Sequence, residues 1–315
     1  MIIALTGASG FIGAALAHRL SDAGHRLIAL VRETSPRAHI ESAVSRFVTG
    51  DHADPAVWPD LLADADAVIH NSFDWAALGS GDLDAHLRSN LTGSLRFLDA
   101  VHQAGVSRFV YMSSVGVHHA MSERWAGRID EDHPLRPRGL YGACKAAVEA
   151  HLWSAHHARG MHTVAIRPSA VYGVEPARLA RSHGFNQIQT LLDGGSVTPE
   201  NFPGGGKWVH VDDVAAATVA AVERDAAAGR AFNLADCYAK FTLLGRFAAE
   251  ALGLPESRVT LDESPPAKNH FDTRACRDIL GVPLNRGTEG LRTHIRELVD
   301  VVSDTEIGAD QPSPA

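Results

Sequence analysis

Three glycines set three residues apart, directly after an apolar run, restrict this chain more than any other feature. The chain opens on Met1-Ile2-Ile3-Ala4-Leu5 and passes straight into Thr6-Gly7-Ala8-Ser9-Gly10-Phe11-Ile12-Gly13. A buried strand that turns at once into a helix needs residues without a Cβ where the backbones come closest. The first glycine permits the tight turn. The second lets the backbone approach a phosphate, and the third lets helix and strand pack closely. Ala14-Ala15-Leu16-Ala17-His18-Arg19-Leu20 reads as the helix, Gly24 stops it, and Arg26-Leu27-Ile28-Ala29-Leu30-Val31 reads as a second buried strand. The helix N-terminus offers free N–H groups and a partial positive charge, which suits a dinucleotide pyrophosphate. The spacing is Gly-x-x-Gly-x-x-Gly, a variant of the general Gly-x-Gly-x-x-Gly fingerprint.

Strand and helix signals then alternate. Phe47-Val48 runs to Gly50-Asp51, a short helix is expected around Trp58 to Ala63, and Ala67-Val68-Ile69-His70 is the next strand. Leu87, Leu91, Leu95, Leu98 and Val101 recur at helical spacing and predict one helix from Asp84 to Ala104. Phe109-Val110-Tyr111-Met112 and Thr163-Val164-Ala165-Ile166 are strands on either side of a helix from Leu140 to Arg159, which Gly160 stops. This alternation predicts an α/β fold with a parallel, doubly wound Rossmann sheet. Residues 1–170 are its expected extent. A smaller, discontinuous substrate-binding region is expected over 171–302, with 207–236 returning to the first domain. Gly204-Gly205-Gly206 reads as a flexible joint, and the polar, proline-containing residues 303–315 as a flexible tail.

Bulk numbers exclude several classes. The 315 residues suffice for a full core. A net charge of -8 argues against a general nucleic-acid binder. No apolar run approaches the ~18 residues of a membrane span, and the first residues read as core strand rather than signal peptide. Cys144, Cys237 and Cys276 are a sparse, odd set, which fits reduced thiols and a cytoplasmic location. The 18 histidines include the adjacent pairs His118-His119 and His156-His157. Neighbours on a helix or strand point apart, and no metal-ligand spacing occurs, so no metal site is expected.

Two further features carry chemistry. Tyr141 and Lys145 stand four residues apart in a helical stretch, hence on one helix face. A tyrosine titrates near ~10; a lysine charge close by, together with the positive nicotinamide of an oxidised cofactor, would lower that value and make the phenol a usable proton shuttle. Ser114 follows a buried strand, where the working residues of open α/β sheets collect. At the end of the second strand an acidic residue would bind a ribose 2′-hydroxyl. This chain has Arg32 there, which can pair with a 2′-phosphate, so NADP(H) is favoured over NAD(H).

At this point the chain resembles the extended short-chain dehydrogenase/reductase superfamily, also called the NAD-dependent epimerase/dehydratase family. The resemblance runs over roughly residues 1–300. It rests on the glycine turn, Gly50-Asp51, Asn90-x-x-Gly93, Tyr111-Met112-Ser113-Ser114, Tyr141-Gly142-x-x-Lys145, Arg167-Pro168-x-x-Val171-Tyr172-Gly173 and His210-Val211-Asp212-Asp213-Val214. It implies a Ser114-Tyr141-Lys145 catalytic triad, with Lys145 also on the nicotinamide ribose. The expected cofactor contacts are Gly7, Ser9, Gly10, Phe11, Ile12, Gly13, Arg32, Asp51, His52, Asn71, Ser72, Asn90, Tyr141, Lys145 and Pro168. The substrate candidates are Ser114, His119, His183, Asn186 and Trp208.

Departures from the family narrow the activity. Val115-Gly116-Val117 stands where dehydratases place a Thr-Asp-Glu stretch, so the acid for water elimination is absent. Ser169 follows Arg167-Pro168 without the asparagine common in sugar-nucleotide epimerases, and Asn71-Ser72-Phe73-Asp74-Trp75 is bulkier than the usual small apolar stretch, which suggests an altered wall on the cofactor side. The expectation is an NAD(P)-dependent oxidoreductase acting on a small carbonyl or secondary alcohol. An NAD-dependent nucleotide-sugar epimerase and a non-catalytic dinucleotide-binding regulator are the alternatives. A homodimer through the helices at 84–104 and 140–159 is expected as well.

Overall fold

The computed structural model describes residues 1–118, 123–125, 127–265 and 269–309. Seven strands form one sheet in the order Arg230–Leu234, His162–Pro168, Arg108–Met112, Ala67–His70, Ile2–Thr6, Arg26–Val31, Arg46–Thr49. Every pairing in it is parallel. The sheet is buried on both faces, so its strands are apolar runs rather than alternating ones. Helix Phe11–Asp22 packs against helix Val211–Glu223, while Phe97, Val101, Val148 and Leu152 of helices Ser94–Gln103 and Leu140–Arg159 share a core with Ala4, Val68, Phe109 and Ala165 of the strands. The strand order reverses at Ile2–Thr6, so the chain leaves that strand and Ala67–His70 in opposite directions. That reversal opens a crevice at the strands' carboxyl ends.

Two compact units make up the chain. The first comprises Met1–Ser169, Val211–Leu234 and Asn269–Pro283; the second comprises Ala170–His210, Ala235–Lys268 and Leu284–Ala315. The chain thus returns to the first unit twice, the second time to pair His270–Phe271 with Arg128–Ile129. The second unit holds a three-stranded sheet in which Gly205–His210 pairs with Ala170–Tyr172 and, antiparallel, with Cys237–Lys240. Its core gathers Ile188, Leu191, Trp208, Leu244, Ile295 and Leu298.

Three sequence expectations change. Gly205 and Gly206 lie in a strand, not a joint. A Cβ on Gly205 would meet the Ala239 carbonyl oxygen at 2.5 Å, and one on Gly206 the Trp208 ring at 3.0 Å, so these glycines serve close packing. The final helix runs Gly287–Ala309, so residues 303–309 continue a helix where a tail is expected. The predicted helix at 84–104 is helical over 83–103 but is π-helical from Leu87 to Gly93. A Cβ on Gly93 would stand 2.6 Å from the Ala53 Cβ, and the Ser94 hydroxyl donates to the Asn90 carbonyl at 2.7 Å. Such π turns arise where a helix carries a local functional or packing demand.

The opening turn is closely packed. Gly7 has φ +68°, and a Cβ there would meet Ser72 N at 3.0 Å. A Cβ on Gly13 would lie 2.0 Å from the Gly7 carbonyl oxygen. Gly13→Val should therefore push helix from strand and cost about 1–3 kcal/mol or more, read as a lower urea midpoint. An unchanged midpoint would show that the two elements separate without penalty.

Candidate active site

The glycine turn is braced from the neighbouring strand by a chain of hydrogen bonds with one consistent direction. The Thr6 hydroxyl oxygen accepts the N–H groups of Asn71 and Ser72, both at 3.1 Å. With its lone pairs so occupied, Thr6 donates to His70 Nδ1 at 2.8 Å. His70 Nε2 then donates to the Ser94 hydroxyl at 2.9 Å, which donates onward to Asn90. This fixes His70 as the neutral Nε2–H tautomer. Complete burial, the largest cause, holds its pKa well below the ordinary histidine range, with His52 and Lys145 adding to the effect. The Asn71 side-chain amide also donates to the Gly7 carbonyl at 3.2 Å.

The sheet brings most of the expected cofactor residues to its carboxyl edge. Gly7, Ser9, Gly10, Phe11 and Ile12 are partly open in the turn, and Gly13 is buried beneath it. Helix Phe11–Asp22 has no side-chain cap at Gly10 and no acid in its first turn. Gly50 N–H bonds to the Val31 carbonyl at 2.9 Å, so Arg32 and Asp51 leave adjacent strands side by side. Arg32 is exposed. Asp51 accepts the Ala53 N–H at 2.9 Å and lies 3.4 Å from Nδ1 of the buried His52, whose pKa burial lowers. Asn90 clamps Asp74, accepting its N–H at 2.6 Å and donating to its carbonyl at 2.9 Å. Pro168 closes its strand in a buried position.

Ser114 and Tyr141 meet. The Ser114 oxygen accepts the Gly116 N–H at 3.0 Å, and its hydroxyl lies close enough to Tyr141 to favour the phenolate. In the chain alone, burial raises the Tyr141 pKa, the Ser114 side chain opposes this, and Cys144 adds to the rise. The Lys145 ammonium turns toward the sheet. Lys145 is only 2% exposed and donates to the Met112 carbonyl at 2.7 Å. Its Nζ stands 4.6 Å from the Tyr111 ring centre and 5.8 Å from that of Tyr141. Burial pulls its pKa down to about 8.

Two residues beyond the predicted set hold this helix in place. Glu149 lies one further turn along the face carrying Tyr141 and Lys145, and it is fully buried. It accepts from the Ser113 hydroxyl and from Arg167 Nη2 at 2.6 Å and Nε at 3.1 Å. The continuing four-residue period is the signal that could have revealed it.

The substrate candidates divide. Ser114 stands against Tyr141, and His119 lies outside the described residues. His183 and Asn186 line a cavity of ≈ 340 Å³ inside the second unit, with Arg181, Gln187 and Phe202. Trp208 is fully buried in that unit's core; its indole N–H donates to the Ala239 carbonyl at 3.2 Å, so it packs rather than faces a ligand. Among the described residues no three or more His, Cys, Asp or Glu side chains converge as a metal site would require, and no helix is long and apolar enough to cross a membrane.

A parallel sheet with a glycine turn at its switch point and working side chains at its carboxyl edge defines a Rossmann-type α/β protein. Residues 3–235 match the NAD dependent epimerase/dehydratase family, and the chain belongs to it. The chain is 31% identical over 175 residues to a 2-alkyl-3-oxoalkanoate reductase of Stenotrophomonas maltophilia, covering 55% of this chain and 52% of the reductase. It is 30% identical over 235 residues to a dTDP-glucose 4,6-dehydratase of Streptomyces antibioticus, covering 68% of this chain and 66% of the dehydratase. The matches thus span about half to two thirds of these relatives. In fold, it resembles a UDP-glucose 4-epimerase of Thermotoga maritima solved with UDP-glucose (TM-score 0.80, 20% identity, 97% of this chain and 99% of that one). It also resembles a dTDP-glucose 4,6-dehydratase of Bacillus anthracis solved with NAD (TM-score 0.78, 16% identity, 97% of each chain).

The lysine environment has a pH signature. With a folded pKa of about 8 against an unfolded value near ~10.4, the unfolded chain retains a proton in that window that the folded chain has released. Stability therefore rises with pH through the window. Lys145→Met should remove that rise, so urea midpoints of wild type gain on those of the variant between about pH 8 and 10. A constant difference would mean the ammonium is solvated like a surface lysine's.

Proposed function

We propose that this chain is a nicotinamide-dinucleotide-dependent oxidoreductase acting on a carbonyl or secondary alcohol. The observation that carries this reading is the contact between Ser114 and Tyr141 at the sheet's carboxyl edge. The acid-free start of helix Phe11–Asp22 fits a pyrophosphate, and Gly7, Gly10 and Gly13 put no Cβ into the turn. When bound there, the nicotinamide supplies or accepts a hydride. Tyr141 holds its proton at neutral pH, as any tyrosine titrating near ~10 does and burial only reinforces, so it enters reduction as the acid that protonates the substrate oxygen. Ser114, pinned by the Gly116 N–H, hydrogen-bonds the same oxygen and keeps it within reach of the phenol. Lys145 has three N–H donors and spends one on Met112, leaving donors for the nicotinamide ribose.

The segment Val115-Gly116-Val117 supports a reductase over a dehydratase, since water elimination needs an acid there. A nucleotide-sugar epimerase remains the second reading, favoured by the likeness in fold to the Thermotoga enzyme. The two differ in cofactor exchange, which a reductase needs every cycle. A regulator that only senses dinucleotide has no use for a Ser114–Tyr141 pair.

Tyr141→Phe should lower turnover of any accepted ketone by about 10²–10⁴-fold, with dinucleotide affinity changed at most a few-fold. Full turnover by the purified variant would remove Tyr141 from the chemistry. Arg32 is exposed at the strand end and supports a preference for NADP(H). Arg32→Ala should weaken NADPH binding roughly ten- to hundredfold and NADH binding much less. Calorimetric titration of both cofactors decides; equal NADPH affinity in the two proteins makes Arg32 an ordinary surface charge.

A further inference from the structure

Trp75 is 61% exposed, yet its placement is closely controlled. Its indole stacks on the Tyr141 ring, with centroids 5.0 Å apart and planes 22° apart. Phe73 stands edge-on to the same phenol at 5.0 Å and lies 4.8 Å from Trp75. The backbone beneath is tethered. Asp74 caps the helix Trp75–Gly79 by accepting the Ala77 N–H at 3.0 Å, and Asn90 holds Asp74 by both its N–H and its carbonyl. The Ser89 hydroxyl reaches the Asp74 carboxylate at 3.3 Å. An indole left largely in water costs free energy unless something covers it. Here it is anchored beside the hydroxyl proposed to protonate a substrate, and Leu140, next to Tyr141 in the chain, is also 52% exposed. Phe73 and Trp75 are the rings packed against the phenol, with Ser114 beside it.

We infer that Trp75 is a specificity-determining platform: the flat apolar part of the substrate packs on its indole while the carbonyl oxygen reaches Tyr141 and Ser114. The substrate class is then a planar, aryl or conjugated, carbonyl compound or its alcohol. This rests on the oxidoreductase reading and names the substrate side of the same site. Flat rings gain from offset stacking on an indole, and puckered rings of equal carbon count do not.

The probes are acetophenone and cyclohexyl methyl ketone, which carry the same carbon skeleton flat and puckered. In wild type and Trp75→Ala, kcat/KM is measured for each with NADPH and NADH, and acetophenone is titrated calorimetrically in the presence of NADP+. Trp75→Ala should lose roughly tenfold of the preference for acetophenone, mainly through KM, and bind it roughly tenfold more weakly; Trp75→Phe should recover most of both. An unchanged preference with unchanged affinity overturns the platform, as does absence of acetophenone binding to wild type. A fall in NADP+ affinity with acetophenone affinity intact overturns it too, assigning the indole to the cofactor. If wild type turns over neither ketone with either cofactor, the oxidoreductase reading falls and the titration alone judges the platform. Should Trp75→Ala fail to fold, Trp75→Leu, which keeps bulk but loses the flat ring, takes its place.

Discussion

The buried ion pair between Arg167 and Glu149 is the contact on which the candidate site hangs. Both side chains are essentially inaccessible, at 1% and 0% exposure. Taking two charges out of water is costly, and the cost is recovered only when the geometry satisfies both groups. Here the guanidinium gives three N–H contacts to the carboxylate, and its Nη1 reaches His118 Nε2 at 3.0 Å. The His118 pKa is pushed down to about 3, by burial first and by the Arg167 charge second, so that imidazole is a neutral acceptor beside the cation. The carboxylate also takes the Ser113 hydroxyl. One ion pair thereby joins helix Leu140–Arg159, strand His162–Pro168 and the segment that begins after strand Arg108–Met112. Ser114 and Tyr141 come from two of these three parts.

The long helix presents Tyr141, Lys145 and Glu149 as one stripe, and burial deepens along it. Glu149 and Lys145 lie beneath the surface, while Tyr141 stays at the rim. The arrangement separates duties by depth. Glu149 anchors the helix, Lys145 bonds the Met112 carbonyl at the end of a central strand, and Tyr141 is left at the edge with Ser114. A parallel logic holds the glycine turn. Thr6, His70 and Ser94 pass hydrogen bonds in one direction across two strands and the π-helical turn, so the crevice is lined by groups that have little freedom to move.

Much of this was legible in the residues. The glycine turn announced itself because its three positions stand within one turn of a strand, and Tyr141 with Lys145 because helical period alone puts them on one face. Glu149 is equally local, since it continues the same four-residue period. Arg167 was visible as a residue but not as a partner, since nothing in the chain states which strand end faces which helix. Trp208 misled for a similar reason. An aromatic residue in a loosely patterned stretch looks available for a ligand, and only the packing of Gly205–His210 against Cys237–Lys240 shows it buried. The glycine run at 204–206 looked like a hinge because flexibility and close packing call for the same residue.

By itself the sequence determined the α/β architecture, the site of the turn and the helix face bearing Tyr141 and Lys145. These depend on period and on residues without a Cβ, which act within a few positions of one another. The tertiary structure alone decided the direction of the Lys145 ammonium, the upward shift of Tyr141, the Arg167–Glu149 pair and the stacking of Trp75 on the phenol. Each of these depends on how much water a group loses and which distant segment replaces it, and that is a property of packing between elements far apart in the chain.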